Sequence, residues 1–550
     1  MNRILIVGGV AGGATAAARL RRLDEYSKII VFERGKYVSF ANCGLPYYIG
    51  DTITNRDGLI LQTGGSFLKR YNIDVRINNE VTKIDPLTKT VTVKDLICNK
   101  EYQETYTKLI LAPGAEPIKP PIEGIYQSGI FTLRNIEDTD NIKEYISLKN
   151  PKDVAIIGGG FIGIEMAENL FNLGINVSII EIANQILPPL DIDIVADIQP
   201  YLEQNGISLY LNNALRDIKE HEGRLLLELS DGSLKVDMVI LAIGVKPENR
   251  LAKDAKLTLN SRGGIVVNSH MQTSNLDIYA VGDVVEVTDY VTGEATMIPL
   301  AGPANKQARI AADNICGIPS TYSGTQGSSI LKVFDMTVAS TGINEKTAKR
   351  IGLNYDKVFL WLHDHASYYP QAKYMSSKII FDKENGRILG AQIVGFEGVD
   401  KRCDVLAVAI RMKLTAYDLT QLELCYAPPY SSAKDPVNIA GFVIENLLEN
   451  RVKQFHWHDV CNLARDGSIE IVDVRTREEI RNGAIEGSVN IPIDELRSRI
   501  DELNKEKTIY VYCQSGMRSY IASRILMQNG FNAYSLSGGY RLYKVMQQNG

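Results

Sequence analysis

The feature that most constrains this chain is a sequence pattern that occurs twice, beginning at Ile4 and again at Val154. Each copy consists of a short apolar strand, a glycine-rich loop, a helical stretch and a second apolar strand that ends in glutamate. The segments of the first copy are 4–7, 8–13, 14–23 and 29–32, followed by Glu33; those of the second are 154–157, 158–163, 165–173 and 177–180, followed by Glu181. This order of elements is typical of a dinucleotide-binding unit. The sequence therefore predicts two nucleotide sites on two separate domains.

The second glycine loop matches the motif G-x-G-x-x-G outright, with Gly158, Gly160 and Gly163 at the three glycine positions. Glycines at these positions permit a tight turn and a close backbone approach, so that amides at a helix N-terminus can face a pyrophosphate. Glu181 at the end of the next strand can accept hydrogen bonds from a ribose 2′-hydroxyl, whereas it would repel a 2′-phosphate. This favours NADH over NADPH.

The first glycine loop departs from the strict motif, because Val10 stands where the middle glycine would be. The loop alone is therefore a weaker indication of nucleotide binding. Glu33 strengthens it, since this residue has the same place as Glu181 in the second copy. The strand 278–281 strengthens it further, because it runs into Gly282 and Asp283.

The rest of the chain changes character twice. From about residue 325, strands at 330–333, 378–381 and 388–394 precede helical stretches at 400–413 and 436–449, a pattern typical of an α+β domain. A polar junction at 451–458 leads to a new α/β pattern. The sequence thus predicts an α/β protein with two Rossmann-like dinucleotide-binding domains, an α+β domain and a C-terminal α/β domain. The predicted limits are 1–150 and 266–325 for the first nucleotide domain, 151–265 for the second, 326–448 for the α+β domain and 455–550 for the last.

Short strands near 75–110 and 207–243 are expected to complete the two nucleotide domains. Two apolar strands run into glycine, at 109–115 and 239–245. With both glycine loops and the 278–283 segment, they make residues 1–320 resemble the pyridine nucleotide–disulfide oxidoreductases. The resemblance implies FAD in the first domain, NAD(P)H in the second, and a contact of Asp283 with the flavin ribityl chain. It also implies cofactor contacts at Gly8, Gly9, Ala11, Gly12, Gly13, Glu33, Ala112, Gly158, Gly160, Gly163, Glu181, Gly244, Gly282, Pro303 and Ala304.

Cys43 is the candidate redox residue, in the segment 39–47 that follows the first nucleotide unit. Most reductases of the family it resembles place two cysteines here, but this chain has no further cysteine before Cys98. A lone cysteine is ordinarily a buried, inert residue. The Gly44 and Pro46 that follow instead favour a loop or helix start, where amides lower a thiol pKa. A single thiolate can attack the S–S bond of a substrate and hold one half as a mixed disulfide until two electrons release it.

Two absences narrow this chemistry. The histidine–glutamate pair of glutathione-type reductases is missing from the stretch 426–436, and Ala11 stands where single-cysteine peroxidases and NADH oxidases carry histidine. The Cys43 segment and residues 426–438 resemble the coenzyme A-disulfide reductases and their persulfide-reducing relatives. That resemblance implies a homodimer in which Tyr426 and Tyr368 reach the partner's cysteine, Tyr368 being preferred to Tyr369 on family spacing alone. Without it, these tyrosines would be expected only to pack in a proline-rich loop.

The same resemblance implies that coenzyme A is bound by Thr15, Arg19, Arg22, Ser39 and Asn42. Arg19 and Arg22 lie three residues apart and so share one helical face that suits phosphates. A solvated helix face would show the same spacing, so the two interpretations remain open on spacing alone.

The C-terminal domain carries a second cysteine motif. The strand 510–512 runs into Cys513-Gln514-Ser515-Gly516-Met517-Arg518 and a helix at 520–528. Cys-x-x-Gly-x-Arg between a strand and a helix surrounds the sulfur with backbone amides, and the helix N-terminus and Arg518 favour an anion there. The last hundred residues or so resemble a rhodanese domain, which implies that Cys513 carries a persulfide sulfur.

Several functions and locations are disfavoured. A formal net charge of −5 gives no basic field for nucleic acid or an anionic membrane, and no stretch approaches the ~20 apolar residues of a membrane helix. The run at 4–7 is too short for a signal peptide. Seven cysteines without close pairs suggest a reducing cytoplasm. His363 and His365 alternate as on a strand and lack a third ligand, so a solvent-exposed pair is expected and no metal site.

The sequence therefore predicts an FAD-dependent enzyme that uses NADH, or NADPH, to reduce coenzyme A disulfide, coenzyme A persulfide or polysulfide through Cys43. The rhodanese domain would deliver the sulfane sulfur. One alternative is an NADH oxidase or peroxidase, and another is a flavin-binding sulfur or redox sensor without enzyme activity.

Overall fold

The structure is a computed structural model that describes residues 2–464 and 466–548. Their contacts divide into two compact units, the first comprising residues 1–186 and 206–327 and the second residues 187–205 and 328–550. The outermost predicted domain limits, residues 1 and 550, lie outside the described residues.

The first unit contains two five-stranded sheets whose strands are all parallel. Strands such as Arg3–Val7 are apolar on both faces and are buried almost completely, as expected when helices cover both faces of a parallel sheet. The order across the first sheet is Ile278–Ala280, Lys108–Leu111, Arg3–Val7, Lys28–Glu33 and Asp74–Ile77. The order across the second is Ile130–Thr132, Met238–Leu241, Asp153–Ile157, Asn176–Ile180 and Ser208–Tyr210.

The likeness of the two nucleotide units extends beyond the predicted segments. Each inserts a three-stranded antiparallel sheet between the same two positions of its parallel sheet, one formed by Asn79–Asp85, Thr90–Asp95 and Lys100–Thr105 and the other by Leu215–His221, Arg224–Leu229 and Ser233–Val236. The remaining strands of this unit are Ala115–Pro117 with Val245–Pro247, and Ile265–Val266, Val285–Thr288 and Ala295–Thr296. Its α-helices are Ala11–Leu23, Leu45–Ile49, Gly64–Tyr71, Ile136–Lys149, Phe161–Asn172, Arg250–Asp254 and Ala301–Ile315, and its 3-10 helices are Asn42–Gly44 and Arg56–Leu59.

The helices after both glycine loops begin earlier than their residue types predict. The helix expected at 14–23 spans Ala11–Leu23, and the one expected at 165–173 spans Phe161–Asn172. The last residues of each loop already form the first helical turn, although glycine has a low helix propensity. No side chain caps either helix in the described chain, so amides of the first turn remain open to a ligand.

The second unit contains an antiparallel sheet and a parallel one. The antiparallel sheet has the order Ser329–Val333, Met336–Gly342, Ile388–Gly395, Tyr374–Asp382 and Tyr355–His363, and the parallel sheet has the order Gln454–Phe455, Asn532–Leu536, Thr508–Tyr512, Ile469–Asp473 and Ser488–Asn490. The α-helices are Ile192–Gln204, Glu345–Arg350, Val399–Arg411, Ala416–Gln421, Pro436–Leu448, Arg477–Ile480, Met517–Gln528 and Gly539–Gln548, and the 3-10 helices are Trp457–Asn462 and Ile500–Glu502. The two sheets correspond to the predicted α+β and C-terminal α/β domains.

The predicted polar junction at 451–458 is partly regular structure, since it supplies the edge strand Gln454–Phe455. It is also bonded to the outer strand of the antiparallel sheet. The Gln454 side chain donates to the Lys357 carbonyl (2.9 Å), and His456 Nε2 lies 3.1 Å from an Asp356 oxygen. Further along the C-terminal domain, the Ser537 hydroxyl accepts from the Phe359 amide (3.2 Å). The C-terminal domain is therefore bonded to the antiparallel sheet by several separate contacts.

A fully buried lysine, Lys378, lies at the centre of a charged cluster in the second unit. Its ammonium group donates to Glu345 (2.7 Å) and to both oxygens of Asp193 (2.9 and 3.0 Å), and it lies 3.0 Å from Asp191. Glu345 also binds the buried Lys357. Burial alone would lower the pKa of Lys378, but the carboxylates around it offset this and raise its pKa above the usual value. The lysine is thus charged, and it joins the start of helix Ile192–Gln204 to the antiparallel sheet.

No helix among the described residues is long and apolar enough to cross a membrane.

Candidate active sites

The two glycine loops have the same backbone geometry. Gly8 and Gly158 have φ values of +94° and +107°, in the region that favours glycine. A Cβ on Gly13 would lie 1.8 Å from the Gly8 carbonyl oxygen, and one on Gly163 would lie 2.1 Å from that of Gly158. These four glycines are therefore required by the turn itself.

Gly160 differs from these four glycines, because a Cβ added there would meet nothing within 4 Å. The chain alone does not need glycine at this position. The open space at the helix start fits the close approach of a pyrophosphate. Val10 occupies the corresponding position of the first loop, so the two sites differ at this point.

The two glutamates at the strand ends are held in the same way. Glu33 accepts hydrogen bonds from the amides of Gly9 and Gly35 (2.8 Å each), and Glu181 from those of Gly159 (2.8 Å) and Ala183 (2.9 Å). Each carboxylate is thus fixed beside its glycine loop by two backbone donors. This position suits the recognition of a ribose next to the pyrophosphate.

The other predicted cofactor residues lie around these loops. The Ala112 carbonyl faces Gly8, and the Ala242 carbonyl faces Gly158. Gly244 and Gly282 have positive φ values, and the Gly282 amide donates to Gln307 on the helix Ala301–Ile315, which also carries Pro303 and Ala304. Burial raises the pKa of Asp283, next to Gly282. Each glycine loop leads into an uncapped helix and has one glutamate beside it. The two loops therefore fit FAD and NADH.

Cys43 lies in the 3-10 helix Asn42–Gly44, directly before helix Leu45–Ile49, and it is an exposed free thiol. The sequence predicts a lowered pKa for Cys43, but in the structure its pKa is raised. Desolvation raises the pKa of Cys43, and the charges of Glu165 and Asp283 raise it further against a smaller opposing effect of backbone hydrogen bonding. The sequence shows neither the desolvation of Cys43 nor the two acidic neighbours that the fold brings to it. The chain's own groups therefore favour the thiol over the thiolate.

Glu165 and Tyr47 lie near Cys43, and sequence reasoning missed both of them. The Tyr47 hydroxyl lies 3.4 Å from a Glu165 oxygen. Burial raises the pKa of Glu165 to about 6, and burial together with Glu165 raises the pKa of Tyr47 to about 12. Glu165 was visible only as one residue of a helix, because no spacing in the sequence relates it to Cys43.

Of the five residues predicted to bind coenzyme A, Ser39 and Asn42 lie close to Cys43 in the chain. Ser39 has a φ of +48°, which is uncommon for a residue with a side chain, and its amide and carbonyl are both hydrogen-bonded, to Gly9 and Leu61. Asn42 is exposed beside Cys43. The Ser39 backbone is therefore held in place immediately before the thiol.

The other three lie on helix Ala11–Leu23. The Thr15 hydroxyl donates to Asn305 (2.7 Å), and Arg19 pairs with Asp313 (2.7 Å). Arg22 is exposed. Arg19 is thus partly neutralised by Asp313, which the spacing of the two arginines does not reveal. Arg22 faces solvent.

Tyr368 and Tyr426 meet in the second unit. Their hydroxyl oxygens are 2.8 Å apart, and the two residues are 74% and 47% exposed. This hydrogen bond raises the pKa of Tyr368. The arrangement leaves a pair of phenols on an open surface.

The expectation of a solvent-exposed histidine pair is wrong. His365 is buried; its Nδ1 lies 2.9 Å from Asp364 and its Nε2 lies 3.1 Å from the Pro370 carbonyl. The strand ends at His363, which packs on the Tyr374 ring, so His365 lies beyond the alternation on which the expectation rested. Among the described residues, no group of three or more His, Cys, Asp or Glu side chains could hold a metal ion.

Cys513 is at the base of a loop that closes around its sulfur, and the residue is 1% exposed. The Gly516 amide donates to Sγ (3.1 Å), and the Ser519 hydroxyl lies 3.5 Å from it. Gly516 has a φ of +114° and is the N-cap of helix Met517–Gln528. The Ser535 hydroxyl in turn donates to that of Ser519 (2.9 Å). The loop therefore directs the Gly516 amide at a buried sulfur, while the Ser519 hydroxyl donates to the Gly516 carbonyl.

The two arginines of this loop region are both paired. Arg518 binds both oxygens of Glu479 (2.7 Å each), and the buried Arg475 binds both oxygens of Asp473. Arg475 Nη1 also lies 3.4 Å from the Gln514 side chain. The sequence predicts that Arg518 attracts an anion, and the structure gives it Glu479, which no spacing in the sequence relates to it.

Comparison with protein families matches residues 2–308 to the pyridine nucleotide-disulphide oxidoreductases, 328–436 to the dimerisation domain of that family and 457–545 to a rhodanese-like domain. A coenzyme A disulfide reductase of Staphylococcus haemolyticus is 36% identical over 449 residues, which cover 81% of this chain and 100% of that protein.

Two solved structures are similar over nearly the whole chain. The reduced CoADR-RHD of Bacillus anthracis is 49% identical with a TM-score of 0.97, covering 100% of this chain and 99% of that one. The NAD-dependent persulfide reductase of A. fulgidus is 39% identical with a TM-score of 0.91, covering 98% and 100%. The chain therefore belongs to the pyridine nucleotide-disulphide oxidoreductase family, whose FAD- and NADH-binding domains are followed here by the family's dimerisation domain and by a rhodanese-like domain.

Proposed function

We propose that this protein uses NADH and FAD to reduce coenzyme A persulfide and coenzyme A disulfide through Cys43, and that Cys513 loads the sulfane sulfur. The observation that carries this proposal is the exposed Cys43 thiol, which has no cysteine partner among the described residues. A thiol without a local partner can exchange only with a sulfur of the substrate. The relatives named as a coenzyme A disulfide reductase and a persulfide reductase support this class of substrate.

The proposed reaction at Cys43 has two steps. The Cys43 thiol loses its proton to solvent, and the thiolate attacks the inner sulfur of coenzyme A persulfide. The S–S bond breaks, and hydrosulfide leaves with the electron pair of that bond. A mixed disulfide between Cys43 and coenzyme A remains, and two electrons and a proton convert it to the Cys43 thiolate and free coenzyme A. When bound, FAD and NADH supply those two electrons. With coenzyme A disulfide, the first leaving group is coenzyme A thiolate instead.

Binding and proton transfer belong to further residues of the chain. We assign the binding of coenzyme A to Thr15, Arg19, Arg22, Ser39 and Asn42. The exposed Arg22, and Arg19 with its partner Asp313, would face the phosphates. FAD is assigned to the first glycine loop with Glu33, Ala112, Gly282, Asp283, Pro303 and Ala304, and NADH to the second loop with Glu181 and Gly244. Glu181 makes NADH the preferred nucleotide.

The proposal includes a homodimer, because the chain has the dimerisation domain of its family. The paired hydroxyls of Tyr368 and Tyr426 would reach Cys43 of the other subunit and donate a proton to the departing thiolate. The proposal also includes the domain limits predicted above. It places the protein in a reducing cytoplasm, where Cys43 and Cys513 remain thiols between turnovers.

Substrate-dependent NADH consumption is the experiment that tests this function. The purified protein with FAD is expected to oxidise NADH with coenzyme A persulfide or coenzyme A disulfide in the absence of oxygen, and only slowly with oxygen alone. Ala11 is in the first glycine loop and cannot serve as an acid or base for oxygen or peroxide reduction. NADH oxidation that is fast with air and unaffected by coenzyme A substrates would instead establish the oxidase alternative.

The tyrosine pair is tested by removing its hydroxyls. Replacing both Tyr368 and Tyr426 with phenylalanine is expected to lower kcat for coenzyme A disulfide by roughly 100-fold with little change in KM, since a proton donor acts in the chemical step. Each single variant should lose less, because one hydroxyl remains. Tyr369→Phe is the matched control, and it should leave kcat unchanged. A normal kcat in the double variant, or an equal loss in Tyr369→Phe, would refute the assignment.

A further inference from the structure

The guanidinium of Arg518, next to the sulfur-carrying loop, is already occupied by a carboxylate. Its two terminal nitrogens each donate to a different oxygen of Glu479, at 2.7 Å, so the pair is bidentate. Bidentate arginine–carboxylate pairs are among the stronger charge-assisted hydrogen bonds and fix the orientation of both groups. Arg518 therefore does not present a free positive charge to an incoming sulfur compound.

Glu479 is itself held in place by the backbone. In helix Arg477–Ile480 it forms a capping box with Thr476, whose amide donates to a Glu479 oxygen (2.9 Å) and whose hydroxyl accepts from the Glu479 amide. The hydrogen bond from Arg518 lowers the pKa of Glu479 to about 2, so the carboxylate is ionised at neutral pH.

The second arginine near the loop is also neutralised. Arg475 is buried against Asp473, which binds it with both carboxylate oxygens. Arg518 and Arg475 thus each have an anion of their own, and the formal charges of these two pairs cancel. The remaining attraction for an anion comes from backbone amides such as that of Gly516 and from the helix N-terminus.

The charge that such a loop must accommodate depends on the sulfur donor. In each case the Cys513 thiolate attacks the terminal sulfur of the donor, forms the Cys513 persulfide, and expels the rest of the donor with the electron pair of the broken S–S bond. An alkyl persulfide expels a thiolate with one negative charge, which then takes up a proton from solvent. Thiosulfate expels sulfite with two negative charges.

We infer that Glu479 is a positioning residue that sets donor specificity: by neutralising Arg518, it makes the Cys513 loop prefer alkyl persulfides to thiosulfate. The inference rests on the proposed function, in which Cys513 carries sulfane sulfur. Glu479 does not touch the reacting sulfur; it acts through Arg518.

The test is sulfur transfer to cyanide by the full-length protein without NADH, with thiosulfate or glutathione persulfide as donor. Glu479→Gln keeps an acceptor for the Thr476 amide and removes one negative charge. This variant is expected to raise kcat/KM for thiosulfate roughly tenfold and that for glutathione persulfide only about threefold, because a dianionic leaving group gains about twice as much from a free arginine as a monoanionic thiolate does. The gain should shrink as salt is added.

Glu478→Gln is the matched control, since Glu478 is the preceding residue of the same helix, is exposed and loses the same charge. It is expected to leave the ratio of the two donors as in the unmodified protein. An unchanged donor ratio in Glu479→Gln, whether both activities persist or both fall together, would overturn the inference. Cys513→Ser tests the proposed function separately. Sulfur transfer by this variant above the rate without protein would refute the role of Cys513. Loss of transfer in Cys513→Ser, together with an unchanged donor ratio in Glu479→Gln, would refute only the role of Glu479.

Discussion

Replacing Cys43 with serine is expected to lower NADH oxidation with coenzyme A persulfide or disulfide by roughly 1,000-fold or more. A serine hydroxyl stays protonated at neutral pH and cannot form a mixed disulfide. The chain offers no replacement, because no second cysteine adjoins Cys43 in the sequence. The measurement is the rate of NADH consumption at saturating substrate, with FAD content checked so that loss of cofactor is not mistaken for loss of the nucleophile.

Two controls make this result specific. Cys98→Ser removes another exposed free thiol of the first unit and should leave NADH oxidation unchanged. Sulfur transfer from thiosulfate to cyanide should persist in Cys43→Ser, since that reaction uses Cys513. Turnover of coenzyme A persulfide that survives in Cys43→Ser would show that the proposed mechanism is wrong.

Replacing Lys378 with methionine is expected to destabilise the second unit by about 3–5 kcal/mol at neutral pH, because it leaves buried carboxylates without their shared cation. Lys378 is 0% exposed and binds Glu345, Asp191 and Asp193. The two tryptophans, Trp361 and Trp457, both belong to the second unit. Urea unfolding followed by tryptophan fluorescence therefore reports on this unit alone.

The destabilisation caused by Lys378→Met should depend on pH. Burial raises the pKa of Glu345, but Lys378 and Lys357 more than offset this and hold it below its usual value. A carboxylate with a lowered pKa stabilises the fold above its unfolded-state pKa, and this contribution is lost as pH falls through the folded value. Without Lys378, the carboxylate pKa values rise. The deficit should thus be largest near about pH 7 and smaller near about pH 5, where protonation relieves the unpaired charges.

Lys349→Met is the matched control for this experiment. Lys349 pairs with the same Glu345 (2.9 Å) but is 61% exposed in its side chain. An exposed pair contributes little, so this change should cost no more than about 1 kcal/mol. Equal losses in the two variants, or a deficit in Lys378→Met that grows as pH falls, would contradict the role assigned to the buried cluster.

The parts of the fold that follow from local pattern could be predicted from the sequence. The strand–loop–helix–strand order of both nucleotide units is visible because apolar runs, glycines and a terminal glutamate recur at fixed spacing. The exact start of the helices was not visible, since Ala11 and Phe161 begin helical turns inside what the glycines mark as loops. Helix Ile192–Gln204 was also not foreseen; Pro200 within it is a strong helix-breaking signal in sequence.

The candidate site was predictable where a motif carries the chemistry and not where distant residues meet. Cys43 and Cys513 each lie in a recognisable segment. Glu165 raises the pKa of Cys43 from a helix more than a hundred residues away in the chain, and Glu479 reaches Arg518 from another element. Such pairings arise from tertiary packing, which no spacing of residue types encodes. The opposite error occurred at His365, where a sequence pattern predicted too much. The alternation of His363 and His365 suggested one strand with both side chains exposed, but the strand ends at His363.

The contacts between the C-terminal domain and the antiparallel sheet have a consequence for sulfur traffic. A domain on a flexible tether samples a volume, and the length of its linker sets how often it meets a second site. Here the segment after residue 450 is bonded to the outer strand through Gln454, His456 and Ser537. Cys513 thus belongs to a domain that is hydrogen-bonded to that sheet and is not on a free tether. The reach of Cys513 is therefore set by these contacts and not by the length of the segment that joins the C-terminal domain to the rest of the chain.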